Sequence, residues 1–280
     1  MSDVELLVDG LDFGEGPRWH DGCLWYSDFF QHRVYRVQLD GTRETVLDLG
    51  DEQPSGLGWL PTGELLVVGM LKRQLLRYDG TGVTVQAELG HIATSHCNDM
   101  VVDSRGHAYV GNFGFDYAAD EEPVGASLAL VRPDGTVLSV AEDLQFPNGS
   151  VITSDGSTLI VGETFGSRYS AFTIAADGTL SARRIWADVP GRLPDGCCLD
   201  TTGAIWFADA IRAEVVRVTE GGNITEVIEV PERAFACMLG GETGHTLFVL
   251  TAPSDPAGGL EPAQGAIWMV EVSAGHAGMP

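Results

Sequence analysis

Short alternating apolar runs, each interrupted by a turn that ends in Gly, recur along the chain. The stretch FPNGSVITSDG, residues 146–156, shows the unit. A small or polar residue is followed by Gly, an alternating strand, a turn ending in Gly and a second apolar strand. Six segments fit this pattern: EGPRWHDGCLWYSD from Glu15, SGLGWLPTGELLVVG from Ser55, NDMVVDSRGHAYVGN from Asn98, NGSVITSDGSTLIVGE from Asn148, DGCCLDTTGAIWFAD from Asp195 and FACMLGGETGHTLFVLT from Phe235. Their first residues, the anchors, are 40, 43, 50, 47 and 40 positions apart. Each unit continues into a third strand, such as HRVYRVQL or EVVRVTE, then a Gly turn and, in the first five, a fourth strand such as ETVLDL or ITEVIEV.

Four short antiparallel strands repeated at this period describe the blade of a β-propeller. The sixth unit stops after its third strand, AIWMVEV, while the N-terminus carries a spare strand, VELLVD. Pairing the two closes the ring and removes an open edge. The expectation is an all-β, single-domain, six-bladed propeller over residues 1–280, with its last blade closed by the N-terminal strand.

Composition narrows the partners. The net charge is −24, from 40 acidic and 16 basic residues, and Lys72 is the single lysine. Such a surface repels phosphate backbones and anionic membranes, so neither nucleic acid nor a membrane is expected. No run approaches the ~18 apolar residues of a membrane helix. The N-terminus, MSDVELLVDG, has no apolar core of a signal peptide. Five cysteines, an odd number without a C-x-x-C pair, predict reduced thiols and a cytoplasmic location. No interface patch is legible, which favours a monomer.

In a propeller the innermost strand of each blade lines the channel, so the anchors Glu15, Ser55, Asn98, Asn148, Asp195 and Phe235 converge at one mouth. Four of them carry a carboxylate or amide oxygen. Turn chemistry accounts for Asn, Asp and Ser, but not for Glu15. Two carboxylates converging without a cation suffer mutual repulsion, which a divalent cation removes. An all-oxygen set selects hard ions such as Ca²⁺, Mg²⁺ or Mn²⁺.

The motifs Glu15-Gly16-Pro17, Asn98-Asp99, Phe146-Pro147-Asn148-Gly149 and Pro194-Asp195-Gly196, set in order on six repeats, resemble the senescence marker protein/gluconolactonase (regucalcin-like) family over roughly residues 4–272. The resemblance implies a lactone-opening hydrolase with one divalent cation, whether Ca²⁺, Mg²⁺, Mn²⁺, Zn²⁺ or Fe²⁺, held by Glu15, Asn148 and Asp195. It makes Asp195 the general base as well, unless a hydroxide on the cation takes that role. Asn98 matches a position that contacts substrate or approaches the metal, and Asp116, in GNFGFD, aligns with an acidic substrate-contacting position.

The chain departs from the family at His96, two residues before Asn98, where members acting on aldonolactones often carry Arg. Histidine offers fewer donors to sugar hydroxyls than Arg, which argues against gluconolactone itself more than against the reaction class. The insertion NFGFDYAADEEPVG, residues 112–125, predicts a lid bearing Phe113, Phe115 and Tyr117, with Phe146 and Phe235 as apolar walls. The substrate is then a small lactone or ester. The alternatives are a phosphotriester-type or other ester hydrolase on the same cation, or a non-catalytic calcium-binding propeller. Cys197 and Cys198 read as packing, Asp103 and Asp200 as turn braces, and His20, His32, His107 and His245 as surface residues.

Overall fold

The computed structural model describes residues 4–117, 119–254 and 262–280, and among them there is no helix. Six antiparallel sheets form the molecule. Their inner strands are Gly14–His20, Pro54–Trp59, Cys97–Val102, Pro147–Ile152, Pro194–Asp200 and Arg233–Gly240. Each inner strand packs on the next and the sixth returns to the first, so the sheets are the blades of a six-bladed propeller. Glu5–Leu11 pairs antiparallel with Gly265–Glu271 and supplies the outer strand of the last blade, as expected from the two chain ends.

Burial follows from this geometry. Inner and second strands have neighbouring blades on both faces, so Leu65–Gly69 and Ile205–Asp209 are buried at every position. Outer strands such as Val83–Glu88 face water and are mostly exposed. The core lies between blades. One cluster joins Trp206 and Val215 of the fifth blade to Phe248 and Ile267 of the sixth and Leu24 of the first. All five cysteines are unpaired, and Cys97, Cys197, Cys198 and Cys237 are buried. Burial pushes the Cys97 thiol up to about 12, so it stays protonated and inert at neutral pH.

Asp103 and Asp200 brace the first turn of their blades, as their recurrence suggested. Asp200 accepts the N–H groups of Thr202 and Ala204, and Asp103 accepts those of Arg105 and His107. His107 differs from its expected surface position. It is buried, with its ring 3.0 Å from Asp103, because Gly178 of the neighbouring blade packs over it.

The C-terminal tail also has a role that its Gly-rich composition did not reveal. Met279 exchanges two backbone hydrogen bonds with Ile152, and His276–Ala277 pairs with Leu199–Asp200. These contacts lie at the far ends of two inner strands, so the tail crosses the channel end opposite the anchors.

Candidate functional site

Every inner strand breaks register with its second strand at the anchor. The irregularities fall between Glu15 and Arg18, Pro54 and Leu57, Cys97 and Met100, Pro147 and Ser150, Pro194 and Cys197, and Ala234 and Ala236. A bulge bends its strand and re-aims a side chain, and six at one level form a ring. The backbones come very close there. A Cβ on Gly149 would lie 2.4 Å from the carbonyl oxygen of Asp195, so only glycine permits this approach.

The anchors are buried, and five of them line one cavity of about 370 Å³: Glu15, Asn98, Asn148, Asp195 and Phe235. Ser55 is buried but does not reach it. Burial, then the charge of Asp195, then that of Asp99, push the Glu15 carboxyl well above its ordinary value. The Asn148 amide nitrogen donates to the Thr164 hydroxyl at 3.2 Å, and that hydroxyl donates to the Pro194 carbonyl at 2.8 Å. The amide is thereby oriented with its nitrogen committed, leaving the carbonyl oxygen as its acceptor. Asn98 is held similarly, its nitrogen 3.4 Å from the Pro147 carbonyl.

Among the described residues no group of three or more His, Cys, Asp or Glu side chains is disposed to hold a metal ion. The donor set of Glu15, Asn148 and Asp195 is instead two carboxylates and an amide oxygen. Its chemistry fits a hard divalent cation, because burial and the charges of Asp195 and Asp99 raise Glu15 more than the charge of Arg18, itself bonded to Asp99, lowers it.

Asp99, beside Asn98, is committed elsewhere. Its carboxylate accepts from Arg18 at 2.6 Å and from the Met100 N–H at 2.8 Å. The buried Arg18 guanidinium also donates to the carbonyls of Leu57, Pro17 and Met100. Sequence reasoning passed over Arg18, although a charge on an inner strand was a visible signal.

The other expected residues divide. His96, Phe113, Phe146 and Tyr117 line the cavity. The Phe113 ring stacks on Phe146 with centroids 4.5 Å apart, and His96 meets its edge at 5.8 Å. Phe115 is buried behind them against Phe146 and Phe165. Asp116 is not part of the lining. Its carboxylate accepts the Ala119 N–H and shapes its own loop.

Three further acids were missed. Asp28, Glu163 and Asp209 end their second strands directly opposite the residues that precede Glu15, Asn148 and Asp195. All three are fully buried. Asp28 accepts the N–H of Phe13, Glu163 that of Gln145 and Asp209 that of Leu193, so each ties down the segment entering an anchor. The equivalent positions in the remaining blades are Gly69, Asn112 and Thr251. An acid therefore stands there only in the blades carrying Glu15, Asn148 and Asp195, a coincidence legible in the strand endings YSD, VGE and FAD.

Burial raises the Glu163 carboxyl, but Arg168, Ser170 and the Gln145 N–H outweigh it and leave the group below its ordinary value. A depressed folded value stabilises the fold above the unfolded value of 4.5 and is lost as pH falls through the folded one. Glu163→Gln is expected to cost about 2 to 4 kcal/mol at neutral pH, because Arg168 and Arg183 lose their shared partner. Urea unfolding at pH 7 and pH 4 checks it: the deficit shrinks at the lower pH.

The fold and its donor set define a class: a six-bladed propeller with acidic and amide side chains converging at one channel mouth. Residues 13–253 match the model of the SMP-30/Gluconolactonase/LRE-like region, and the chain belongs to that family. It is 27% identical to the pentonolactonase XacC of Haloferax volcanii over 290 residues, covering 98% of this chain and 96% of that protein. It is 24% identical to regucalcin of Danio rerio over 264 residues, covering 89% and 86%. The solved structure of a gluconolactonase from Xanthomonas campestris superposes with a TM-score of 0.78 at 26% identity, covering 97% and 90%.

Proposed function

We propose that the protein is a divalent-metal-dependent lactonase that opens a sugar lactone or related small cyclic ester. The observation that carries this reading is the pairing of two buried, mutually repelling carboxylates, Glu15 and Asp195, with an oriented amide, Asn148, on the floor of one cavity. The relatives named for lactone hydrolysis support the same reaction class. Glu15, Asn148 and Asp195 would hold the cation. When bound, it supplies electrophilic polarisation of the lactone carbonyl and charge for the oxyanion.

The chain's own residues do the rest. Asp195 takes a proton from the attacking water as its oxygen bonds to the carbonyl carbon. The ring carbon–oxygen bond breaks, the ring oxygen receives the proton, and a hydroxy acid leaves. Asn98 orients the substrate beside the reacting carbonyl, while Phe113 and Phe146 exclude water from one side. The reduced cysteines suit a cytoplasmic setting.

Metal analysis of the purified protein, coupled to a pH-stat assay on a lactone panel, tests the proposal. The assay is run with Ca²⁺, Mg²⁺, Mn²⁺, Zn²⁺ and Fe²⁺ in turn. Turnover with at least one cation, abolished by chelation and restored by re-addition, is expected. If no lactone opens, the reading fails. Turnover of a phosphotriester alone moves it to the phosphotriester-cleaving alternative.

A further inference from the structure

The repeat equates positions around the cavity wall. Residues two before each anchor form a lower ring: Phe13, Gln53, His96, Phe146, Leu193 and Arg233, all of which line the cavity. Immediately after the second strands come Phe29, Met70, Phe113 and Ala210, also in the lining. One residue further out, Phe30, Leu71, Phe165 and Ile211 stand at the rim on four different blades. These four are 37–46% exposed, so apolar side chains lead from solvent down the wall through Phe113, Phe146 and Leu193, with Gln53, His96 and Arg233 set between them in the lower ring.

Two polar members of the wall, Arg233 and Thr164, have committed donors, and most of the remaining side chains are apolar, with Gln53 and His96 the polar exceptions in the lower ring. Arg233 donates two N–H groups to the Ala210 carbonyl, at 3.0 and 2.7 Å, with its guanidinium 5.6 Å from the centroid of the Phe235 ring. Thr164 is bonded to Pro194, and the His96 ring meets the edge of Phe113. A polyhydroxylated sugar ring seated here would press several hydroxyls against carbon, and each left unpaired weakens binding. An apolar substituent faces no such loss and gains by leaving water.

We propose that this collar selects lactones carrying an alkyl or aryl substituent over polyhydroxylated ones. The substituent lies against Phe113 and Phe146 and reaches the rim at Phe165 and Ile211, while the lactone ring rests over Glu15, Asn148 and Asp195. The inference rests on the lactonase reading and names its substrate class.

The metal-loaded enzyme is compared on δ-decalactone, unsubstituted δ-valerolactone and glucono-δ-lactone. The expected kcat/KM for the alkyl lactone exceeds that for the sugar lactone by about tenfold or more. Ile211→Ser changes a rim side chain that is 46% exposed, and Phe165→Ser also removes ring contacts with Phe115, Tyr117 and Phe146, so thermal melts confirm that both variants are folded before their rates are compared. Each is expected to lower the decalactone-to-valerolactone ratio about threefold or more. Calorimetry with δ-lactams, which keep the ring and resist hydrolysis, supplies a readout independent of turnover: affinity grows with alkyl chain length and ΔCp is negative. Equal or better turnover of the sugar lactone, or lactam affinity indifferent to chain length, overturns the inference and leaves the lactonase reading standing. Failure to open any lactone removes that reading, while the lactam titration still reports on the collar.

Discussion

Asp195→Asn is expected to reduce kcat by about 10³-fold or more, with the fold intact. The substitution keeps the side chain's size and one oxygen but removes the negative charge and the site for a proton. A positioned general base contributes about 10² to 10⁴, and weaker charge balance around the cation adds to the loss. The backbone at this position is tightly held. Asp209 accepts the Leu193 N–H at 3.2 Å, and Arg192 and Arg212 clamp Asp209 in turn. The variant therefore reports chemistry more than displacement. Rates across pH, together with cation affinity from competition with a chromophoric chelator, separate the two contributions. A variant retaining more than a tenth of the rate at saturating cation would show that Asp195 is not the base.

Glu15→Gln should separate stability from function in opposite directions. In the cation-free protein Glu15 is buried, and both Asp195 and Asp99 repel its charge. A neutral amide of the same shape removes that repulsion, so the cation-free variant melts about 2 to 4 °C higher than the parent. The same change removes a charged oxygen ligand, and charge count strongly tunes the affinity of such sites. Cation affinity falls about 100-fold or more, and the stabilisation that added cation gives the parent disappears with it. Thermal melts with and without Ca²⁺ or Mn²⁺ measure both effects. A variant that melts lower without cation and still gains from it would sink the assignment of Glu15 as a ligand.

Sequence and structure agree on the blades because blade signals are local. Alternation specifies which face of a strand is buried, and the turn glycines mark where each strand ends. Asp155-Gly156 was readable as a hairpin turn, and Asn148-Gly149 as the start of an inner strand, from their spacing alone. The unfinished sixth unit and the spare N-terminal strand were complementary enough to predict closure. The anchor ring followed from the repeat, since equivalent positions in a propeller share one level of the channel.

Other features depend on residues far apart in the chain. Ser55 occupies an anchor yet stays out of the cavity, which its place in the repeat did not disclose. Asp99 is taken by Arg18, 81 positions away, so the acid beside Asn98 was no guide to the donor set. His107 is buried by a glycine from the next blade. The bulges have no marker in any single segment, because register is a relation between two strands.

The sequence by itself determined the six blades, their closure and which positions share the level of the mouth, since periodicity and turn chemistry act within a few residues. Only the tertiary structure decided how those side chains are aimed and charged. Amide orientation, burial and repulsion between carboxylates arise where different blades touch, and low-dielectric contact makes those forces large.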